Sequence, residues 1–380
     1  MFSLLPIAAL VAPALAQQNI TYLTSLLGAL NSAGLTSLAT AAGQINSTAT
    51  GQNVLEQLSK QTPFTVFAPN NNAFKGVPSN ISSNVQLVSD IIAYHVLPGT
   101  FSTAATAPNT TVARTLLNDS SVTFLEGNKN QVVAWQNSTS GKVTILNQNT
   151  PVTVLNSTQV GNLTVLVVDG VIDLPGSLEA ALTANNLTGL KTVLQTTGLL
   201  NPLSTIHGFT LFAPSDEALA AAQSQLTTLG SNATLITNLV DNHVINGSSV
   251  YSPEIAAAKG NFTSGAGEGI SAVTNSSGTF LTSGNTTAKV TKPDIILYNG
   301  VVHIIDHVFL NTDSNAGAAS SAFQSATSAA AQPSAATGAV GSPTGSGAGA
   351  SGTAKSGASG LRVQAGAGAM ALVASVFFAL

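Results

Sequence analysis

The chain has 380 residues, a formal net charge of −4, only 7% charged residues and no cysteine. It is long enough for two domains of about 100–150 residues each. So sparse a charge excludes the basic footprint that nucleic acid or an anionic membrane surface selects, and the missing thiols exclude a disulfide framework, leaving stability to packed cores.

The first element is an apolar stretch, Leu4 to Leu15, that runs into Ala14-Leu15-Ala16. A small-x-small ending reads as signal peptidase cleavage before Gln17, so residues 1–16 are expected to be a signal peptide, although no Lys or Arg precedes the apolar run. About 12 apolar residues are too few to cross a bilayer. Secretion fits the sequons: 14 of the 31 Asn residues open an Asn-x-Ser/Thr motif. They are Asn19, Asn46, Asn80, Asn109, Asn118, Asn137, Asn156, Asn162, Asn186, Asn232, Asn246, Asn261, Asn275 and Asn285. That is about twice the chance frequency, and sugar would supply the solubility that charge does not.

The middle of the chain is written twice. "FTVFAPNNNAF" (Phe64 to Phe74) returns as "FTLFAPSDEAL" (Phe209 to Leu219), "IIAYHVLPG" (Ile91 to Gly99) as "LVDNHVING" (Leu239 to Gly247), and "NLTVLVVDGVI" (Asn162 to Ile172) as "NGVVHIIDHVF" (Asn299 to Phe309). The offsets of 145, 148 and 137 are too long for a solenoid unit and unequal, which predicts two tandem domains that diverged by loop changes.

Each copy opens with helical spacing, Leu23, Leu26, Leu27 and Leu30 in the first and Leu178, Leu182, Leu187, Leu190 and Val193-Leu194 in the second. Phe-Thr-x-Phe is β-prone and is stopped by Ala-Pro. Asn70-Asn71-Asn72 and Ser215-Asp216-Glu217 then offer N-cap chemistry for a following helix. Dense β-branched runs close each copy, with Asn299-Gly300 placed at a hairpin turn. Helices first and strands later predict an α+β domain.

Residues 313–360 are almost wholly Ala, Ser, Gly and Thr, a composition expected to form a disordered stalk. Residues 361–380 end in the apolar run Ala369 to Leu380 with no basic residue after it. Small residues, a polar spacer (Ser359 to Ala367) and an apolar tail form the grammar of a GPI attachment signal, with Ser356 or Gly357 as the attachment residue.

On these boxes the chain resembles the fasciclin (FAS1) domain family, over about residues 17–312. The resemblance rests on Phe-Thr-Val-Phe-Ala-Pro with its polar pair and Ala-Phe, on Tyr94-His95, and on the closing box from Asn299 to Val308. It implies two tandem FAS1 domains, residues 17–175 and 176–312, each a wedge-shaped β-sandwich flanked by helices, in a protein of adhesion or matrix contact. Tyr94 and His95 match a region implicated in adhesion in animal relatives, and Asp294 in "KPDIILYNG" resembles a stretch proposed as an integrin contact there. The second copy has Asn242-His243 in place of Tyr-His, and the first has Leu163 and Leu166 where the closing box has Gly and His, so a Tyr-His role carries over only to the first domain.

The residues alone give blander readings beside these. Tyr and His in an apolar run fit a core pair with satisfied polar tips. His303 and His307 are placed on one face of a strand with Asp306 pointing away, which lacks zinc geometry, so no metal site is expected. Asp169 and Asp306, equivalent in the two copies, fit hydrogen bonding to backbone near strand ends rather than a glycosidase pair. The Gly-x-Gly-x-x-Gly at Gly347, Gly349 and Gly352 lies in the stalk and follows no strand. The expectation is a non-enzymatic, cofactor-free surface glycoprotein that binds surface, wall or matrix glycans and proteins, or its own kind, and is held to the membrane by a GPI anchor. A vacuolar FAS1 protein and an enzyme acting on wall glycans stand as the alternatives.

Overall fold

The computed structural model describes residues 21–331, apart from 102–103, 108, 139–140, 230–231 and 259. The expected signal peptide, the Asn19 sequon, the stalk beyond 331 and the GPI signal with Ser356 and Gly357 lie outside the described residues.

Both halves begin with helices, over 21–32, Thr36–Gln44 and Ala49–Ser59 in the first and Leu178–Ala184 and Thr188–Thr196 in the second. Their leucine stripes face inward: Leu23 and Leu30 are buried while Leu26 and Leu27 pack half-buried on the same core, and Leu182, Leu190 and Leu194 are buried in the second half.

The first half contains β1 (Phe64–Pro69), β2 (Val96–Pro98), β3 (Thr111–Arg114), β4 (Val132–Asn137), β5 (Val143–Ile145), β6 (Val152–Val160) and β7 (Leu163–Val168). The second contains β8 (Phe209–Pro214), β9 (Val244–Asn246), β10 (Phe262–Thr263), β11 (Gly269–Asn275), β12 (Gly278–Ser283), β13 (Thr286–Leu297) and β14 (Gly300–Ile305). Each set is joined as a seven-stranded sheet, in the orders β2-β1-β7-β6-β5-β4-β3 and β10-β11-β12-β13-β14-β8-β9. With the helices this makes two tandem α+β domains.

The repeated phrases are each other's partners. The opening strand of each copy runs parallel to the closing one, Phe64 opposite Leu163 through Pro69 opposite Val168, and Thr210 opposite Val301 through Pro214 opposite Ile305. Everything between them is the crossover that a parallel pair requires. Strands β6 and β13 pair on both sides and carry register shifts, between Val154 and Asn156 and from Val290 through Lys292 to Ile295. Such bulges bend a strand, so one strand serves both faces of the sandwich.

Three local expectations are corrected. The β13–β14 hairpin turns at Tyr298-Asn299, one residue before Asn299-Gly300, with Leu297 opposite Gly300. Gly300 is instead required inside the strand, because a Cβ there would lie 2.6 Å from the Phe209 carbonyl oxygen. Strand β14 ends at Ile305, so Asp306 and His307 leave the sheet: His303 is fully buried whereas His307 is exposed, its Nδ1 2.7 Å from Asp306 Oδ1.

The stalk is the third correction, since its first part, Ala316–Ala330, is a helix. Alanine is the strongest helix former, and Asn315 caps the helix by accepting from the Ala318 N–H at 3.0 Å. Phe323 packs at Gly247 of the second domain, while Ala330 covers Gly127 of the first.

The domains also share a core. Val112, Val132 and Ala134 of the first form one buried cluster with Tyr251, Ile296 and Val301 of the second. Around it, the Phe124 N–H donates to the Tyr298 carbonyl (2.7 Å), Gln131 Nε2 to the Leu297 carbonyl (3.1 Å) and Ser249 Oγ to Glu126 Oε2 (2.9 Å).

Candidate functional site

Helix Val85–His95 carries Tyr94 and His95 at its end, and both are 3% exposed. His95 Nδ1 lies 2.7 Å from the Ile91 carbonyl, and the Ile172 N–H donates to Nε2 at 3.0 Å. The second contact makes Nε2 the acceptor, so the ring is neutral with its proton on Nδ1, and burial lowers its pKa to about 4. His243 repeats this arrangement at the end of helix Ala233–Asp241, bonding the Leu239 carbonyl (2.7 Å) and the Phe309 N–H (2.9 Å), with its pKa lowered by burial to about 4. Each histidine therefore clips a helix end to the segment that follows the closing strand, in both domains.

What differs between copies is the residue before the histidine. Tyr94 donates its hydroxyl to the Val132 carbonyl at 2.9 Å, and burial raises its pKa. Asn242 is fully buried in its place, with Nδ2 3.0 Å from the Asn311 and Asp313 carbonyls and Oδ1 accepting from Ser264 Oγ at 2.7 Å.

Asp294 sits in the β13 bulge with φ at +56° and is fully buried between the domains. Its carboxylate accepts from the Ser252 N–H (2.7 Å), from Ser252 Oγ and, across the seam, from Thr110 Oγ1. Asn147 Nδ2 of the first domain donates to its carbonyl. Its own N–H donates to His303 Nδ1 at 3.2 Å, while His303 Nε2 lies 2.9 Å from the Val250 carbonyl. Burial lowers the His303 pKa, against the opposing pull of the Asp294 charge. All three residues singled out for adhesion are buried, and Asp294 instead ties the two domains together.

Cavities open on the seam beside it. One of about 290 Å³ is walled by Tyr94, Asn147, Gln148, Asn149, Asp173 and Lys292, and another of about 650 Å³ by Thr110, Ser252, Lys289 and Pro293. The smaller holds one carboxyl, one ammonium and several amides. Lys292 Nζ donates to Asn185 Oδ1 at 2.7 Å, and the Asp173 N–H donates to Gln148 Oε1 at 2.6 Å. Such a groove can donate and accept hydrogen bonds to a hydroxyl-rich chain.

Asp169 Oδ1 accepts from the Thr153 N–H (2.6 Å) and Asp306 Oδ1 from the Lys289 N–H (2.7 Å), so the closing carboxylates hold the neighbouring strand. Among the described residues no group of three or more His, Asp or Glu could hold a metal ion. Of the sequons, Asn80, Asn109, Asn118, Asn156, Asn186, Asn232, Asn261, Asn275 and Asn285 are exposed, and Asn46, Asn137, Asn162 and Asn246 are half-buried.

Two recurrent contacts escaped the sequence reading. Asn71 and Asp216, taken as caps of their own helices, reach back to earlier ones: Asn71 Oδ1 accepts from the Ser37 N–H (3.0 Å), and Asp216 from the N–H groups of Thr188 (3.2 Å) and Gly189 (3.0 Å). Asn162 and Asn299, which open the closing boxes, donate Nδ2 to carbonyls just before the opening strand, Thr62 at 2.7 Å and Ile206 at 3.0 Å. Their recurrence at the same point of both boxes was the available signal.

Comparison with known proteins follows the same division. The Fasciclin domain model matches twice, over residues 23–175 and 185–311. A curated relative described as a fasciclin-like arabinogalactan protein, from Arthroderma benhamiae, is 24% identical over 271 residues, 70% of this chain and 62% of that protein, so the chain spans less than two thirds of that relative's length. A solved structure of a FAS1 domain pair from the insect cell adhesion molecule fasciclin I matches with a TM-score of 0.35 and 15% identity, over 68% of this chain and 92% of that one.

Proposed function

The chain belongs to the fasciclin domain family through both of its halves, and on that premise we propose that it is a non-enzymatic adhesion glycoprotein of the cell surface. It binds hydroxyl-rich polymers or proteins of the wall or matrix, and is held to the outer leaflet by a GPI anchor at Ser356 or Gly357. The observation that carries this reading is the seam: two fasciclin domains share one buried cluster, and both carry exposed sequons. Many such units on one membrane turn weak contacts into avidity. The candidate contact is the groove by Asn149 and Lys292, both exposed. The non-enzymatic assignment is supported by His95, His243 and His303, whose ring nitrogens are all committed to backbone groups.

The test couples the secreted, glycosylated chain to beads and measures clumping and retention on purified wall and matrix polymers. Retention that falls several-fold in an Asn149→Ala, Lys292→Ala variant supports the groove. Retention that ignores the change moves the contact to another surface, and no binding under any condition moves the protein toward an internal compartment or an enzymatic role. For the anchor, deletion of Ala369 to Leu380 is expected to release the protein into the medium, as followed by blotting cell and medium fractions. Continued retention on the membrane refutes a GPI signal.

A further inference from the structure

A second kind of cavity lies away from the seam, inside the first domain. It is about 270 Å³, between helix Thr36–Gln44, β1, the Ala73–Ser82 segment and helix Val85–His95. Val66, Phe74, Ile81, Val88, Ile92 and Val171 converge on it, and each stays only half-buried. Elsewhere large apolar side chains reach high exposure singly, at Leu155, Val273 and Leu310. Half-exposed apolar surface gathered in one concavity is a standing gain for any apolar molecule that fills it.

Polarity inside it is one-sided. Among the described residues no side chain with a formal charge lines it, and His95, the polar group facing its interior, is neutral with both nitrogens already bonded to backbone. Ser37, Thr40, Gln44 and Ser82 supply the remaining polar groups, and all lie on partly or fully exposed positions at the mouth. A ligand would enter apolar end first and leave a hydrogen-bonding head outside. With no cation to meet it, a carboxylate or phosphate head is disfavoured. Since a water's share of liquid volume is ~30 Å³, the space suits about ten non-hydrogen atoms, and apolar cavities of even smaller size are known to stay dry and take up apolar molecules.

The second domain shows which feature opens the space. Val193, Leu211, Leu219, Ile236, Val240 and His243 line a cavity of about 140 Å³ at the equivalent place. There Leu226 and Leu229 of helix Gln223–Leu229 both reach in, whereas the short helix Ser79–Ser82 of the first domain contributes only Ile81 as a large apolar side chain. The larger room is therefore particular to the first domain.

We propose that this cavity is a binding site for one uncharged, single-chain amphiphile of about ten carbons, such as a medium-chain alcohol, with the chain buried toward His95 and the neutral head at the Thr40–Gln44 rim. The site is independent of the adhesion reading and would stand if that reading failed.

The test titrates the full secreted chain with 1-decanol and, separately, with decanoate at pH 8, counting bound ligand by native mass spectrometry and following the emission of Trp135. That residue is the one tryptophan of the chain and meets Phe67 of the cavity wall edge-on at 5.5 Å. Expected are saturable uptake of one decanol per chain, at least tenfold weaker decanoate binding, at least tenfold weaker decanol binding by Ala41→Phe, and no change in Val193→Phe, which fills the twin. If Ala41→Phe does not fold, Ala41→Val fills less space and should weaken binding by a smaller, still measurable factor. The proposal is overturned by absent or non-saturable uptake, by equal decanol binding in a folded Ala41 variant, or by equal decanoate affinity.

Discussion

His95 and His243 carry an electrostatic cost of acid that other residues offset. Burial lowers both pKa values from 6.5 to about 4, so between those values the unfolded chain binds protons that the folded chain refuses. Stability from these two is full above pH 6.5 and falls as pH drops toward 4, by roughly 3 kcal/mol each over that window. Asp90 and Asp241 oppose them. Burial raises Asp90 to about 6, helped by the nearby Asp119 charge, and raises Asp241 to about 7, both from 3.8. Their folded forms take protons first, so a penalty that is full above pH 7 is relieved as pH falls to 3.8. The native chain is expected to show a shallow pH profile that hides two steep ones. His95→Gln should lower the urea midpoint most at pH 7.5, with the gap to the native chain closing by pH 4.5; a gap independent of pH would refute the neutral-histidine account. Asn162 allows a second residue-level check, because a glycan on Nδ2 would leave one N–H where that nitrogen now donates to two carbonyls, Leu58 at 3.5 Å and Thr62 at 2.7 Å. Glycopeptide mapping of the folded protein is expected to find Asn162 bare and the exposed Asn156 occupied.

At the scale of elements, the opening and closing phrases were legible because their chemistry is local: Phe-Thr-x-Phe alternation, a proline stop and a polar turn. The helix Ala316–Ala330 was not, since a segment with Phe323 as its one large apolar side chain resembles a linker until the surface that receives it is known. That surface is built for it. Gly127, with φ at +66°, lies under the helix end, where a Cβ would stand 2.0 Å from the Ala330 carbonyl oxygen. Gly127→Ala therefore forces the last turn off its seat and adds left-handed strain of about 1 kcal/mol. Limited proteolysis should cut the variant within 316–330 well before the native chain. Identical cleavage rates would mean that the helix is not held there.

For the whole molecule, the sequence announced two domains and was silent on their union, because the union is made by residues with no pattern in common. Thr110 stands in a loop, Ser252 starts a helix and Asp294 lies in a bulge, and only the folded sheets bring them together. The same silence left Asp294 as a candidate surface contact on the resemblance of its stretch alone, since its donors Thr110 and Ser252 stand far from it in the sequence. Its place in the seam makes a strong demand. Asp294→Ala removes the acceptor of three donors in a buried place and puts alanine at φ near +56°, a combination expected to cost about 3–5 kcal/mol. Asp294→Asn keeps one oxygen for the Ser252 N–H and tolerates the left-handed backbone, so it should lose less. Because the domains share the cluster around Val132 and Tyr251, the native chain should melt in one calorimetric transition. Asp294→Ala should split that transition in two, as each domain retains its own core but loses the charge-assisted tie between them. A single transition shifted to lower temperature would instead mean that the apolar cluster alone couples the domains, and that Asp294 serves only the fold of the second.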